Sequence, residues 1–450
     1  MSEFKAGQAR IPPCAIKLKE GVQPVKQPIR SRAFKDRDII QREVQNMIAS
    51  GVIRESVSPW ASPIQLIMKK DGTVRFCIDY RTVNTLIEHD AYPLPLIGDL
   101  IVRLADATIF STLDLKSGYW QIPLTEKSKP VTAFSTPDGH YEFNVLPFGI
   151  AVAPAVFQRT MSSLFKEISF VAIYMDDIVV FSKTPQEHEQ HLQIVLHRLE
   201  TFGFKLNKKK CQYHQSEIDY LGLRISNGSM QPIVEKIKAV TEIRVPTSRT
   251  EIQSFLGLVN FYRDFCPDLA ETSIPLYELT HKNKTFEWNN KHQEAFDKVK
   301  QLITNAPLLK IPALSKPFII ATDASAVALG AVLSQGYNGK EHPISFASRV
   351  LTEAEKNYSV IEKELLAIVF AIKKFRCYVY GHRFTIFCDH NPLQFIATMK
   401  DPTKRIARWL MWLQDYDFKV VYRPGKQNTN ADCLSRCSVM ALTMANDCDD

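Results

Sequence analysis

The segment Phe170-Val-Ala-Ile-Tyr-Met-Asp-Asp-Ile-Val-Val-Phe181 sets two adjacent aspartates between apolar runs, and it constrains the fold more than any other stretch. The flanks, Phe170 to Tyr174 and Ile178 to Phe181, predict paired strands against a core. Asp-Asp is not a favoured two-residue turn. Carboxylates side by side at the edge of an apolar sheet repel each other and resist loss of water, and a divalent cation removes both penalties. An exposed acidic turn is the plainer reading of the pair taken alone. Upstream, Asp114 interrupts another strand-like run in Phe110-Ser-Thr-Leu-Asp-Leu-Lys-Ser-Gly-Tyr-Trp120, where Gly118 allows close approach of backbone or ligand. Three acidic groups on neighbouring strands are what two-metal nucleotidyl transfer requires, with the ions about 3.5–4 Å apart.

At 450 residues the chain predicts two or three domains. The charge of +8, from 56 basic and 48 acidic residues, permits a polyanionic partner without demanding one. Nine scattered cysteines, with no C-x2-C pair, predict a reducing compartment and no disulfide framework. The apolar runs near Ile173 and from Leu365 to Ile372 are too short to span a bilayer, and no signal peptide is evident, so a soluble protein acting without a membrane is expected.

Residues 1 to 35 read as an irregular Pro-, Lys- and Arg-rich arm. Ile40, Val44, Met47 and Ile48 predict a helix from Asp38 to about Ile53, and Asp71-Gly72 predicts a hairpin joining Ile64–Met68 to Val74–Ile78. Residues 187 to 203 read as a helix closed by Gly203. Ser248 and Glu251 have capping-box spacing ahead of the stripe Ile252, Phe255, Leu256, Val259 and Tyr262. Past Pro307, Pro312 and Pro317 the pattern changes. Strands are expected at 318–322, 329–334 and 383–388, and Thr352-x-x-Glu355 opens a long helix carrying Ile361, Leu365, Ile368 and Ile372. This is an α/β module distinct from what precedes it.

Four motifs in order, Arg75-Phe-Cys-Ile-Asp-Tyr-Arg-Thr-Val-Asn84, Leu113-Asp-Leu-Lys-Ser-Gly-Tyr-Trp-Gln-Ile-Pro-Leu124, Leu146-Pro-Phe-Gly149 and Tyr174-Met-Asp-Asp177, closely resemble reverse transcriptases, most of all those of gypsy-like LTR retrotransposons. The resemblance implies an α+β right hand of fingers and palm over residues 36–235, with a thumb and connector over 236–310. It implies Asp114, Asp176 and Asp177 as metal ligands. Lys69 or Lys70 and Arg75 would grip the incoming triphosphate, and Tyr119 would exclude a 2′-hydroxyl. Phe148 stands where retroviral enzymes carry glutamine, and with Met175 it completes the nucleotide-binding set. Lys208, Lys209 and Lys210 read equally as a phosphate contact or a solvated run.

Asp323, Glu364, Asp389 and Asp432 each have an ordinary structural reading, as turn, surface or helix-dipole residues. Taken jointly, with Thr322-Asp-Ala-Ser325, Tyr358-Ser-Val-Ile-Glu-Lys-Glu-Leu-Leu-Ala367 and Cys388-Asp-His-Asn-Pro-Leu393, they resemble the α/β ribonuclease H domain of the same elements, over residues 311–436. The four would be the ligands of a second two-metal site. The histidine that retroviral nucleases carry shortly before the last aspartate has no counterpart between Tyr422 and Ala431. Trp409, Trp412, Lys404, Arg405 and Arg408 read as a hybrid contact or as a core-facing helix with a charged back.

The family implies Mg²⁺, two ions per site, with Mn²⁺ as a substitute. It implies an RNA template, a DNA primer or RNA–DNA hybrid, and dNTPs as partners. The rest of a Pol polyprotein is expected around the chain, a dimer is allowed, and the setting would be a cytoplasmic virus-like particle or the nucleus. The tail 437–450 matches no known pattern. Intact acidic residues at both sites favour an active enzyme over a decayed nucleic-acid-binding copy. The order of the domains disfavours a DNA-templated polymerase with an editing nuclease.

Overall fold

The computed structural model describes residues 9–30, 33–68, 74–281, 285–389 and 404–423. Lys69, Lys70, Asp432 and the tail lie outside the described residues. The chain divides into two compact units, Met1–Ile218 and Asp219–Asp450.

In the first unit the expected helix occupies Phe34–Ala49 and buries Ile40, Val44 and Met47. It stops short of Ile53 because Gly51, at φ 72°, takes the left-handed turn that ends helices, and Val52 N–H donates back to Met47 O. The strand Ser62–Met68 pairs antiparallel with Val74–Ile78 at one edge of a five-stranded sheet. A second, four-stranded sheet runs in the order Val171–Tyr174, Asp177–Ser182, Ile109–Asp114, Gln212–Gln215, antiparallel throughout. Helices Ala153–Leu164 and Pro185–Thr201 pack against it. They bury Phe157, Met161, Leu192 and Val195, each such side chain contributing about 1.5–3 kcal/mol. The fully buried His188 ties the second helix to two strands, with Nε2 2.7 Å from Ser111 Oγ and Nδ1 2.9 Å from Ser182 Oγ. Burial holds that imidazole down at about 4, so it is neutral.

The second unit opens on the antiparallel strands Leu223–Ser226 and Ser229–Pro232, followed by a helical core of Arg249–Phe261 and Asn290–Thr304 built from Ile252, Phe255, Val259, Phe296, Val299 and Ile303. Ser248 caps the first helix by accepting from Glu251 N–H. The Glu251 carboxylate, however, accepts from Thr247 N–H at 2.7 Å, one residue earlier than a capping box requires. A five-stranded sheet follows, in the order Lys340–Val350, Ala328–Tyr337, Phe318–Ala324, Phe384–Cys388, Phe418–Tyr422; the last two strands run parallel to Phe318–Ala324. Two of these strands escape the pattern reading. Lys340–Val350 carries Pro343, tolerated because this is an edge strand whose register shifts beside it. Phe418–Tyr422 is five residues with Lys419 in its interior. Thr352 and Glu355 do form a capping box, but it opens the single turn Glu353–Lys356. The long helix Val360–Lys374 starts at a second box, Ser359 with Glu362. Among the described residues no helix is long and apolar enough to cross a membrane.

Candidate active sites

Pairing of the strands brings the aspartates of the first unit to one end of the four-stranded sheet. Asp114 lies opposite Asp177, and Tyr174 lies opposite Asp177 on the other side. The turn is therefore Met175-Asp176, with Asp177 already the first residue of its strand. Met175 sits at φ 52°, a conformation unfavourable for a long side chain such as methionine's. Buried Gln158 holds it there. Its Oε1 accepts from Met175 N–H at 2.7 Å, and its Nε2 donates to Ile173 O at 3.3 Å. Sequence reading missed this residue, although a glutamine beside the buried stripe Phe157, Met161 and Leu164 was an available signal. Replacing it by methionine leaves a backbone donor unsatisfied at about 1–3 kcal/mol. We expect Gln158→Met to lower kcat for primer extension roughly tenfold, an effect of that size, with little change in the KM for dNTP in steady-state assays.

The Asp114 backbone is fixed as well, its C=O accepting from Asn207 N–H at 2.8 Å and its N–H donating to Cys211 Sγ at 3.4 Å. Lys210 Nζ stands 3.7 Å from Asp114 Oδ2. Desolvation, then Asp177 and Asp114, raise the Asp176 carboxyl above its ordinary range. At Gly118 the close approach is by side chains rather than by backbone or ligand: a Cβ there would lie 3.0 Å from the Phe157 ring and 3.3 Å from Asp176 Oδ1. A cavity of about 840 Å³, within the size range of ligand sites, is lined by Arg75, Asp114, Gly118, Trp120, Phe148, Asp176 and Lys210 among others. Tyr119 is packed edge-on between Phe148 and Phe157, with centroids 5.1 Å away in each case. Burial, then Asp176, pushes its hydroxyl up to about 12. Arg75 lies 6.0 Å from the Phe148 ring centroid.

In the second unit, Ala321 and Phe387 are neighbours on parallel strands, so Asp323 and Asp389, each two residues on, emerge at the same end. The helix Val360–Lys374 crosses them and delivers Glu364, which is 2% exposed. One carboxylate oxygen from each of the three lies within 4.8 Å of the others, the one such grouping among the described residues. The three aspartates of the first unit are less tightly grouped. Burial, then Asp389 and Asp323, pushes Glu364 up to about 8, and its Oε2 has no hydrogen-bond partner. A buried carboxylate without a donor, facing two others, fits a hard divalent cation in chemistry and charge.

A carboxyl raised by folding stabilises the protein below its unfolded value and loses that contribution as pH rises through the folded one. Glu364 thus destabilises the cation-free fold progressively between about pH 4.5 and 8. Glu364→Gln is expected to unfold at higher temperature than the wild type at pH 8.5 in EDTA, with no such gain at pH 4. Each kcal/mol recovered is worth about 2–4 °C in a thermal scan.

The remaining candidates are dispersed. Arg405 pairs with Glu362 and lies 3.7 Å from the Tyr358 ring centroid, and Trp409 packs beside Tyr358, so this part of the helix Lys404–Leu413 faces its own unit.

Residues 67–225 match the reverse transcriptase (RNA-dependent DNA polymerase) family, and residues 313–416 match the RNase H-like domain found in reverse transcriptase. The chain carries both domains, in the α+β then α/β order expected, and its relatives are the Pol polyproteins of LTR retrotransposons. It is 41% identical over 408 residues to the retrovirus-related Pol polyprotein from transposon 297 of Drosophila melanogaster. It is 38% identical over 401 residues to the transposon Tf2-7 polyprotein of Schizosaccharomyces pombe. The matches cover 89% and 88% of this chain but only 38% and 30% of those polyproteins. Among solved structures, a foamy viral protease-reverse transcriptase in complex with dsDNA superposes with a TM-score of 0.83 at 26% identity, over 94% of this chain and 90% of that one. The same protein in complex with an RNA/DNA hybrid gives 0.74, also at 26% identity, over 94% and 58%.

Proposed function

We propose that the chain is an RNA- and DNA-directed DNA polymerase that also cleaves the RNA strand of RNA–DNA hybrids, serving replication of a gypsy-like LTR retrotransposon. The carrying observation is the convergence of Asp114, Asp176 and Asp177 at one sheet end beside the 840 Å³ cavity. Its charged lining suits a dNTP. Arg75 offers a forked donor and Lys210 a point charge to phosphate oxygens, while Trp120 and Phe148 give the base and sugar an apolar wall. Tyr119, braced between two rings, does not line the cavity but backs Phe148, which does, so a gate against a 2′-hydroxyl would act through the Phe148 wall. Phe148 has no polar group to offer, so discrimination there rests on shape.

Asp114, Asp176 and Asp177 would hold Mg²⁺ at the polymerase site, and Asp323, Glu364, Asp389 and Asp432 would hold it at the nuclease site. When bound, such ions lower the pKa of the attacking oxygen and stabilise the leaving one. The protein's part is to fix the carboxylates beforehand, through the Gln158 clamp, the paired register and the two parallel strand ends. The two foamy viral complexes support a duplex or hybrid as the nucleic-acid partner. Relatives that are polyproteins support a setting within a longer Pol chain, and particle-bound action in the cytoplasm accords with that. Extension of a primed RNA template and cleavage of a labelled hybrid, each with Mg²⁺, test the reading; absence of both activities from the purified chain would overturn it.

A further inference from the structure

Three strands of the second unit place Asp323, Gly330 and Ser348 directly abreast, on one face of the sheet. A segment from the preceding helical region lies over this row. Ala270 N–H donates to Ser348 Oγ at 3.0 Å, and Ser325 Oγ donates to Glu271 Oε2 at 3.1 Å. Between these two anchors and the sheet sits Asp268, at the left-handed φ of 50°. Its Oδ1 is the nearest atom to the position a Cβ would take at Gly330, 3.6 Å away. Neighbouring strands are about 4.8 Å apart, so this carboxylate lies over the strand beside Asp323.

We propose that Asp268 is a further carboxylate of the nuclease site, a positioning residue from outside the ribonuclease H-like domain that tightens cation binding beside Asp323. This rests on the nuclease reading given above. A further carboxylate held over the sheet beside Asp323 is unfavourable without a counterion. Among the described residues no ion pair relieves Asp268. The second, independent observation is Glu364 Oε2, buried on the same cluster with no hydrogen-bond partner. A cation held by Asp323, Glu364 and Asp389 would relieve both, by direct contact at Glu364 and through its charge at Asp268, which stands outside that group, and it would also link occupancy of the site to docking of the 268–271 segment on the sheet.

The test uses the full chain carrying Asp176→Asn and Asp177→Asn, so that Mn²⁺ binding, followed by electron paramagnetic resonance, reports on the nuclease site. Asp268→Asn is expected to weaken Mn²⁺ binding roughly tenfold, the usual scale for residues supporting a metal site, and Asp268→Glu to restore most of it. Asparagine tolerates a left-handed backbone, so the fold should survive, and unchanged circular dichroism checks that it does. In the otherwise wild-type chain, Asp268→Asn should raise the Mg²⁺ needed for half-maximal hybrid cleavage by a similar factor and leave primer extension unaltered. Mn²⁺ binding equal to or tighter than the parent's would overturn the proposal while leaving the nuclease reading intact. If Glu364→Gln also binds Mn²⁺ as the parent does, and Asp389→Asn leaves cleavage undiminished, the nuclease reading falls and the proposal with it.

Discussion

Changing Asp176 and Asp177 together to asparagine is expected to reduce primer extension by at least about a thousandfold. Cations held there would supply several kcal/mol of charge stabilisation, and about 1.4 kcal/mol is a tenfold change in rate. Asparagine preserves shape and leaves the Met175–Gln158 hydrogen bond in place, so fold and template binding should be retained. Because desolvation and two neighbouring carboxylates already raise Asp176, removing charge relieves repulsion in the cation-free protein. The inactive variant should be at least as stable as the wild type in EDTA. A thermal scan beside the extension assay separates this outcome from simple misfolding.

Asp389→Asn is expected to remove hybrid cleavage on the same scale and to leave primer extension unchanged. Asp389 and Asp323 leave adjacent parallel strands at one end, with Glu364 closing the third side, so the loss of either aspartate opens the group. The two sites lie on separate compact units, each with its own core, so each substitution is expected to act on the site of its own unit. Gel assays of labelled RNA in a hybrid, run with the extension assay on one preparation, give both readouts.

Legibility in the sequence followed the strength of the periodic signal. Phe170 to Phe181 showed its hairpin because both runs are apolar without interruption, and the helix Val360–Lys374 showed its stripe for the same reason. Lys340–Val350 did not, because an edge strand needs neither alternation nor every backbone donor, and Pro343 disguises it further. Two capping boxes seven residues apart, at Thr352 and Ser359, made one helix of what is a turn followed by a helix. The candidate acidic residues were visible as residue types at motif spacing. Their grouping was not, because the 4.8 Å convergence of Asp323, Glu364 and Asp389 arises from a parallel pairing between strands some sixty residues apart. Gln158 and Asp268 were overlooked for a related reason: each acts through a contact that only the folded chain creates.

The central claim is that one chain carries two separable carboxylate sites, one for polymerisation and one for hydrolysis. The most direct test follows extension of a DNA primer and cleavage of the labelled RNA template in a single reaction with Mg²⁺. Wild type, the Asp176→Asn/Asp177→Asn variant and Asp389→Asn are compared side by side. The account predicts that wild type does both, that the double variant cleaves a preformed hybrid without extending, and that Asp389→Asn extends without cleaving. Extension by the double variant at the wild-type rate, or undiminished cleavage by Asp389→Asn, would contradict it.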